Sequence, residues 1–184
     1  AGREEPLRRL EDKILKRCGG SDVQRIERVQ YVIPPYGDRK VTHRPVVAGS
    51  GPAGLFCALL LARAGFRPIV LERGDQVEAR REKVDIFWKE GTLDPDTNVQ
   101  FGEGGAGTFS DGKLNTLIKD QHGRIRYVLE TFVQAGADPD ILYSYKPHMG
   151  TDVLCDVVRN IREEIISLGG TFLFRHVLTD IGKC

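Results

Sequence analysis

Three closely spaced glycines are the residues whose type and spacing most directly suggest chemistry. Gly49, Gly51 and Gly54 follow the pattern G-x-G-x-x-G. The first glycine of this pattern permits a tight turn after a strand, the second lets a phosphate approach the backbone, and the third lets a helix pack closely on the strand. The free N–H groups and the positive dipole end of that helix then face the phosphates. Pro52 lies in the first helical turn, where its missing donor is harmless. The segment therefore predicts a pyrophosphate-binding loop.

The residues around this loop have the order that a dinucleotide-binding unit requires. Apolar residues 45–48 predict a strand, residues 52–64 have the helical period, and residues 68–71 predict a second strand. A strand, a helix and a strand in this order form a parallel pair with a right-handed crossover. Glu72 ends the second strand about 20 residues after the loop, where an acid holds the adenosine ribose hydroxyls and repels a 2′-phosphate. These features indicate FAD or NAD and disfavour NADP.

A second glycine-rich segment favours FAD over NAD. Residues 91–113 predict a long loop with six glycines, far beyond the usual length of a connection. Its glycines allow the backbone to lie flat against a ligand and to donate N–H groups to it. Thr108 and Ser110 add hydroxyl groups, and Lys113 adds a positive charge of the kind that stabilises a reduced, anionic flavin. This composition suits the pyrophosphate, ribityl chain and ring edge of FAD, whereas an NAD site does not need such a loop.

The sequence resembles a known family over residues 44–184. The resemblance is carried by residues 44–56, 71–74, 101–114 and 146–152, and the third of these segments is the most specific. They are similar to segments of poorly characterised bacterial FAD-dependent dehydrogenases. That family belongs to the flavoprotein class with a glutathione-reductase-like FAD domain.

The resemblance implies an assignment of the FAD site residue by residue. Glu72 would hold the adenosine ribose, Arg73 would flank the adenine, and the backbone of Val177 would meet the adenine edge. Members of this class close the site with a later acidic segment at the ribityl chain, after a substrate or NAD(P)H region, and we expect both to follow Cys184 in a longer chain. The pyrophosphate would be held by Gly49, Ser50, Gly51, Pro52, Ala53 and Gly54, and the phosphates and flavin would be faced by Gly104, Gly105, Ala106, Gly107, Thr108, Ser110 and Lys113.

The periodicity of the whole chain predicts an α/β fold with a doubly wound parallel sheet, Rossmann-like and of the FAD/NAD(P)-binding kind, in residues 44–184. Residues 1–43 are expected to form a small α+β appendage and a stiff linker. The other expected elements are helix 4–17 ended by Gly19-Gly20, strand 25–33, helix 75–89 with Asp75 as N-cap, helix 124–135, helix 151–168 with Thr151 as N-cap, strand 171–174 and a strand beginning at 177–181.

Composition argues against several other classes of protein. The net charge of +1 gives no electrostatic reason to bind nucleic acid or an anionic membrane. No stretch reaches the roughly 18 apolar residues of a membrane span, and the first residues do not resemble a signal peptide, so a cytoplasmic location is expected. The four cysteines lack C-x-x-C spacing, which argues against a metal site and against a redox-active dithiol.

The remaining candidate side chains are assigned structural roles. Cys57 and Cys155 lie among apolar residues in predicted helices and are expected to be buried and inert. Arg80 and Arg81 are expected on a solvated helix face rather than at a phosphate. Trp88 and Phe87 are expected to pack the end of their helix into the core.

The leading functional hypothesis is an FAD-dependent oxidoreductase that acts on a small-molecule substrate, with NAD(P)H as a candidate electron donor. Thr108 and Lys113 are the candidates for the polar groups nearest the flavin, whereas His148 is expected to be an ordinary loop or capping histidine. Two alternatives remain open from the residues: an NAD-dependent dehydrogenase, and a flavin- or nucleotide-binding module without turnover whose residues 1–43 contact a partner.

Overall fold

The structure, a computed structural model, describes residues 4–18, 29–34, 37, 41–114, 116 and 118–182. No helix within these residues is long and apolar enough to cross a membrane. Helices and strands follow in the order α1 Glu4–Arg17, β1 Val46–Ala48, α2 Pro52–Arg63, β2 Ile69–Glu72, α3 Val77–Glu90, a 3-10 turn Ala106–Phe109, α4 Arg124–Gln134, a 3-10 turn Pro139–Leu142, α5 Thr151–Ser167 and β3 Thr171–Phe174.

The three strands form one parallel sheet in the order β1-β2-β3. Val47 is paired with Val70, and Val70 is paired with Phe172, so β2 lies in the middle. Parallel strands need a crossover, and α2 provides it between β1 and β2. The prediction of an α/β, Rossmann-like fold with a parallel sheet is confirmed, and the sequence placed all three of these strands correctly.

The core lies between the sheet and helices α2 and α5. Leu59 on α2 and Val70 on β2 are fully buried, as are Val157 and Ile165 on α5. Removing each such aliphatic side chain from water stabilises the fold by roughly 1.5–3 kcal/mol. At the edge of this contact, Arg63 donates to both carboxylate oxygens of Glu164 at 2.7 and 3.0 Å and so joins α2 to α5. The sheet and these two helices form the rigid base on which the loops after β1 and β2 rest.

The amino ends of the strands are held together by Arg44, just before β1. Its Nε donates to the carbonyl oxygen of Arg67 at 2.6 Å, and its Nη2 lies 2.7 Å from the hydroxyl of Thr171 on β3. Nη2 also donates to the carbonyl oxygens of Pro68 and Gly169 at 3.2 and 3.3 Å. One side chain therefore connects the starts of β2 and β3 to the segment that leads into β1.

Two predicted strands differ in the structure. Residues 177–181 are not a strand, because Arg175 has the left-handed φ of 60° and turns the chain out of the sheet after β3. Of the predicted strand 25–33, residues 25–28 lie outside the described residues, as does the helix stop Gly19-Gly20. Its second half, 29–33, is not paired as a strand and packs on the start of α4, where the rings of Tyr31 and Tyr127 meet edge to face at 5.3 Å.

Both predicted N-caps are wrong. Helix α3 begins after Gln76, because the Asp75 carboxylate is bound by Arg175 at 2.6 and 2.7 Å and by Lys83 at 2.6 Å. The hydrogen bond from Arg175 is also the main reason why the pKa of Asp75 is lowered. Helix α5 begins after Gly150, which places Thr151 inside the first turn rather than before it.

Two predictions of burial are also wrong. Cys57 lies on the outer side of α2 and is exposed, whereas Cys155 on α5 is buried as expected. Trp88 is 69% exposed. Phe87, for which the same packing was predicted, is half-buried, with its ring 5.3 Å from that of Trp88. The inward side of α3 thus continues through Phe87.

Candidate dinucleotide-binding site

The first glycine loop turns the chain from β1 into α2. Gly49 has a φ of 92°, which favours glycine, and its N–H donates to the carbonyl oxygen of Leu71 at 2.7 Å. A Cβ added at Gly54 would collide with the carbonyl oxygen of Gly49, so only glycine allows this approach of α2 to β1. A Cβ added at Gly51 would meet nothing within 4 Å. No side chain of the described residues caps the start of α2 at Gly51. This end of the helix therefore keeps its N–H groups available to a ligand.

Glu72 connects this loop to the turn after β2. Its carboxylate is 6% exposed, and Oε2 accepts from the N–H and the hydroxyl of Ser50 at 2.8 and 2.7 Å. Oε1 accepts from the N–H of Gly74 at 2.9 Å. A carboxylate oxygen can accept two hydrogen bonds, so Oε1 keeps capacity for a ligand hydroxyl. The Ser50 side chain is fully buried against Glu72 and thus supports the carboxylate from behind.

The second glycine-rich loop lies directly on the first. The N–H of Gly104 donates to the carbonyl oxygen of Ser50 at 2.9 Å, and the N–H of Glu103 donates to that of Asp75 at 3.0 Å. A Cβ added at Gly105 would lie 3.2 Å from the Cα of Gly51, closer than nearly all real contacts. The two loops that the sequence singled out separately are therefore in contact, and glycine at position 105 allows this close approach.

A cavity of about 330 Å³ opens where the two loops meet the carboxyl ends of β1 and β2. Ligands of open parallel sheets bind at such ends. On one wall, the guanidinium of Arg73 lies 4.7 Å from the ring centre of Phe101. The lining residues are Ala48, Gly49, Gly51, Leu71, Glu72, Arg73, Gln100, Phe101, Gly102, Gly105, His176, Val177 and Leu178. We call this space the first cavity.

A second, more apolar cavity of about 190 Å³ lies on the other side of the loop contact. Thr108 is 1% exposed there, and its hydroxyl oxygen has no hydrogen-bond partner among the described residues. Lys113 is exposed and pairs with Asp111 at 2.7 Å, and the hydrogen bond that Lys113 donates to this carboxylate raises the pKa of Lys113. The lining residues are Pro52, Leu55, Phe56, Gly104, Gly107, Thr108, Ser110, Gly112, Lys113, Leu114, Phe132, Leu154, Val158 and Ile161. We call this space the second cavity.

The structure divides the predicted ligand-binding residues among three places. The first cavity is lined by Gly49, Gly51, Glu72, Arg73, Gly105 and Val177. The second cavity is lined by Pro52, Gly104, Gly107, Thr108, Ser110 and Lys113. The residues outside both linings are Ser50 and Gly54, which support the first loop, and Ala53 and Ala106, which are exposed. Ligand contact remains a prediction for each of them. His148 bonds the carbonyl oxygen of Asp111 through Nε2 at 2.9 Å, which fits its predicted loop role.

Sequence reasoning missed two charged residues beneath the second loop. Arg80 is fully buried and donates to carbonyl oxygens of that loop, so the prediction of a solvated face is wrong for it, while Arg81 is exposed. The signal was its spacing: Arg80 lies three residues after Val77 and four before Val84, on the buried side of α3. Glu103, an acid among glycines, is also fully buried. Burial raises its pKa to about 7, although Arg162 opposes the rise.

Comparison with known proteins agrees with this geometry. Residues 47–91 match the family described as an NAD(P)-binding Rossmann-like domain, and the matched segment runs from β1 to the end of α3. An uncharacterized protein of Clostridium beijerinckii is 55% identical over 145 residues, which are 79% of this chain and 27% of that protein. The chain thus spans about a quarter of the length of this relative. Residues 47–91 are thus similar to a dinucleotide-binding domain of the kind that is typical of FAD- and NAD(P)-dependent oxidoreductases.

Proposed function

We propose that the protein is an FAD-dependent oxidoreductase and that the ADP half of FAD binds in the first cavity. The observation that carries the proposal is the contact between the two glycine loops at the carboxyl ends of β1 and β2, with Glu72 at its base. A Rossmann unit that binds NAD needs only the first of these loops. The second loop adds a wall whose backbone lies against the first, as an extended cofactor such as FAD would require.

The residues of the first cavity fit such a ligand. Gly51 has open space where a Cβ would be, so a diphosphate can approach the uncapped start of α2. Oε1 of Glu72 can accept a ribose hydroxyl while it keeps its bond to Gly74. Arg73 and Phe101 form a stacked pair on the wall where we place the adenine. Val177 lines the same cavity, although its segment is not a strand.

We place the flavin half beside the second cavity. A bound flavin accepts and passes on a hydride or two electrons, here between a small-molecule substrate and a donor for which NAD(P)H is a candidate. The protein would position and polarise it. Thr108 is the stronger of the two predicted polar contacts, because its buried hydroxyl lacks a partner among the residues described here. Lys113 is held in an exposed pair with Asp111, which competes for its charge.

An NAD-dependent dehydrogenase is the second candidate. It is favoured by the matched family, which is described as NAD(P)-binding, and by Glu72, whose carboxylate suits the ribose of NAD as well as that of FAD. This candidate leaves the second loop and the unpartnered Thr108 hydroxyl without a role.

Spectroscopy and ligand-induced stabilisation of the purified protein test the proposal. We expect flavin absorbance near about 450 nm, or its appearance after FAD is added to colourless protein and free FAD is removed. FAD at about 100 times its Kd should stabilise the fold by about 2.7 kcal/mol, seen as a higher Tm. The variant Gly51→Val serves as the matched control, since its side chain would fill the ligand space.

The possible outcomes separate the candidates. If NAD raises the Tm and FAD does not, the result refutes the proposal and supports the NAD-dependent dehydrogenase. A protein that takes up no FAD and shows no change of Tm with it would refute the proposal. If FAD binds, stopped-flow mixing with NADH or NADPH under nitrogen asks whether the flavin turns over. Rapid bleaching supports an enzyme, whereas an unreduced flavin with every donor tried supports a binding module without turnover.

A further inference from the structure

Arg80 is a fully buried arginine whose side chain is bound by the second glycine loop. Its Nε donates to the carbonyl oxygen of Asn98 at 2.9 Å, and its Nη2 donates to that of Val99 at 2.9 Å. Its Nη1 lies 2.6 Å from the carbonyl oxygen of Glu103 and 2.9 Å from that of Gly105. A single guanidinium therefore fixes the direction of at least four peptide groups in this loop.

Among the residues that the structure describes, the charge of Arg80 has no direct partner of opposite sign. Every hydrogen-bond acceptor that the structure gives to it is a backbone carbonyl, and among the described residues no carboxylate forms an ion pair with it. Its guanidinium lies 4.8 Å from the ring centre of Phe109. Burial lowers the pKa of Arg80 to about 10, and the nearby charge of Glu72 opposes this, so the group stays positive at neutral pH.

The position of Arg80 places this charge directly behind the wall of the first cavity. Gly102 and Gly105 line that cavity, and a Cβ added at Gly102 would lie 2.5 Å from the Cδ of Arg80. Because the peptide is planar and trans, the Gly105 carbonyl that points at Arg80 leaves the N–H of Ala106 on the opposite side. The loop is thus one backbone layer between a buried cation and the ligand space.

We propose that Arg80 is a positioning residue that makes the first cavity selective for a ligand with a diphosphate group. It shapes the second loop from behind, and its buried positive charge adds attraction for phosphate across that single layer. This inference rests on the proposed function, because it concerns the same cavity, but it does not depend on whether the ligand is FAD or NAD. In this inference Arg80 recognises the negative charge of the ligand, whereas Glu72 recognises the ribose hydroxyl groups.

A purely structural role would give a different result from an electrostatic one. If Arg80 only shaped the loop, its removal would raise the Kd of adenosine and the Kd of ADP by the same factor. If its charge acts on the phosphates, its removal raises the Kd of ADP by a larger factor than the Kd of adenosine. The ratio of the two Kd values therefore reports the charge and is insensitive to a general loss of loop order.

The test measures the Kd of adenosine and of ADP by calorimetry for the wild type and three variants. Arg80→Gln removes the charge and keeps some hydrogen bonds, and it should lower the preference for ADP about tenfold. Arg80→Lys keeps the charge and should hold the preference within about threefold of the wild type. Arg81→Gln is the matched control, since Arg81 is the exposed neighbour that pairs with Asp152, and it should change neither Kd.

The outcomes distinguish this inference from the proposed function. A preference for ADP that is unchanged in Arg80→Gln overturns the inference alone, while a wild type that binds neither adenosine nor ADP overturns both. If Arg80→Gln does not fold, an NMR experiment on the wild type tests the inference instead. The Nε–H signal of Arg80, assigned by triple resonance, should shift with ADP and not with adenosine, and a signal that ADP leaves unmoved overturns the inference.

Discussion

Replacing Glu103 with glutamine should change the pH dependence of stability in a defined window. The Glu103 side chain is fully buried beneath the second loop. Its Oε2 accepts from the N–H of Val77 at 2.8 Å and from Nη1 of Arg162 at 2.7 Å, while Oε1 meets no donor in the part of the chain that the structure describes. A buried carboxylate that is only half satisfied holds a proton more tightly than an exposed one. Glutamine keeps the shape and removes the ionisation.

The pKa of Glu103 gives the sign and the size of the effect. Burial raises that pKa from 4.5 to about 7, against the opposing charge of Arg162. Because the folded state binds the proton more tightly than the unfolded chain, the contribution to stability is complete below pH 4.5 and is lost as the pH rises through about 7. With these two pKa values the free energy of unfolding falls by about 2.5 kcal/mol between pH 5 and pH 8.

Urea unfolding of the wild type and Glu103→Gln at pH 5 and at pH 8 measures this difference. The other titrating groups contribute to both proteins, so the change between them isolates Glu103, and its expected value is about 2.5 kcal/mol in favour of the variant at the higher pH. Glu82→Gln, an exposed position on α3, is the matched control and should follow the wild type. If the free energies of unfolding of wild type and Glu103→Gln run parallel from pH 5 to pH 8, the reasoning about burial is refuted.

Four further substitutions test the two cavities. Gly51→Ala should lower the free energy of unfolding by less than about 1 kcal/mol but weaken FAD more than about tenfold in calorimetry, because its Cβ enters only ligand space. Gly54→Ala should instead lower stability to urea by about 1–3 kcal/mol, since its Cβ meets the Gly49 carbonyl; equal stability of the two variants would contradict this. Thr108→Val should raise the Tm of ligand-free protein by removing an unpartnered hydroxyl worth about 1 kcal/mol, and should weaken FAD; a lower Tm would show that the hydroxyl is satisfied. Glu72→Gln should cost about 1–3 kcal/mol in urea and weaken adenosine, because one amide oxygen cannot replace both carboxylate oxygens.

The part of the fold that the sequence predicted is the part that local rules determine. The strand before Gly49 and the helix after it follow from apolar period and from the conformations that only glycine adopts easily. Glu72 was found in the same way, because its place at the end of a strand is fixed by the unit itself. Those rules also predicted the helix that became α5 to within a residue or two at its ends.

The errors concern residues whose state depends on distant partners. Asp75 is of a residue type that favours the N-cap position, but its carboxylate is bound by Arg175, a hundred residues later in the chain. The segment after β3 has apolar alternation, yet the backbone turn at Arg175 takes it out of the sheet. Arg80 lies among charged residues, a pattern that usually indicates an exposed helix face. Its burial is favourable only because the carbonyl groups of the folded loop accept its hydrogen bonds. No local pattern contains those partners.

The bonds made by Arg44 have a consequence for the order in which the sheet opens. The starts of β2 and β3 share one guanidinium, whereas at the opposite edge of the sheet β1 continues into the first glycine loop, which contacts Glu72 at the end of β2. Amide hydrogens at the starts of these strands should therefore exchange with solvent only when the whole domain unfolds, and those near Glu72 should exchange through smaller, more frequent openings. We therefore expect the amino ends of the strands to open less often than their carboxyl ends, where the first cavity lies.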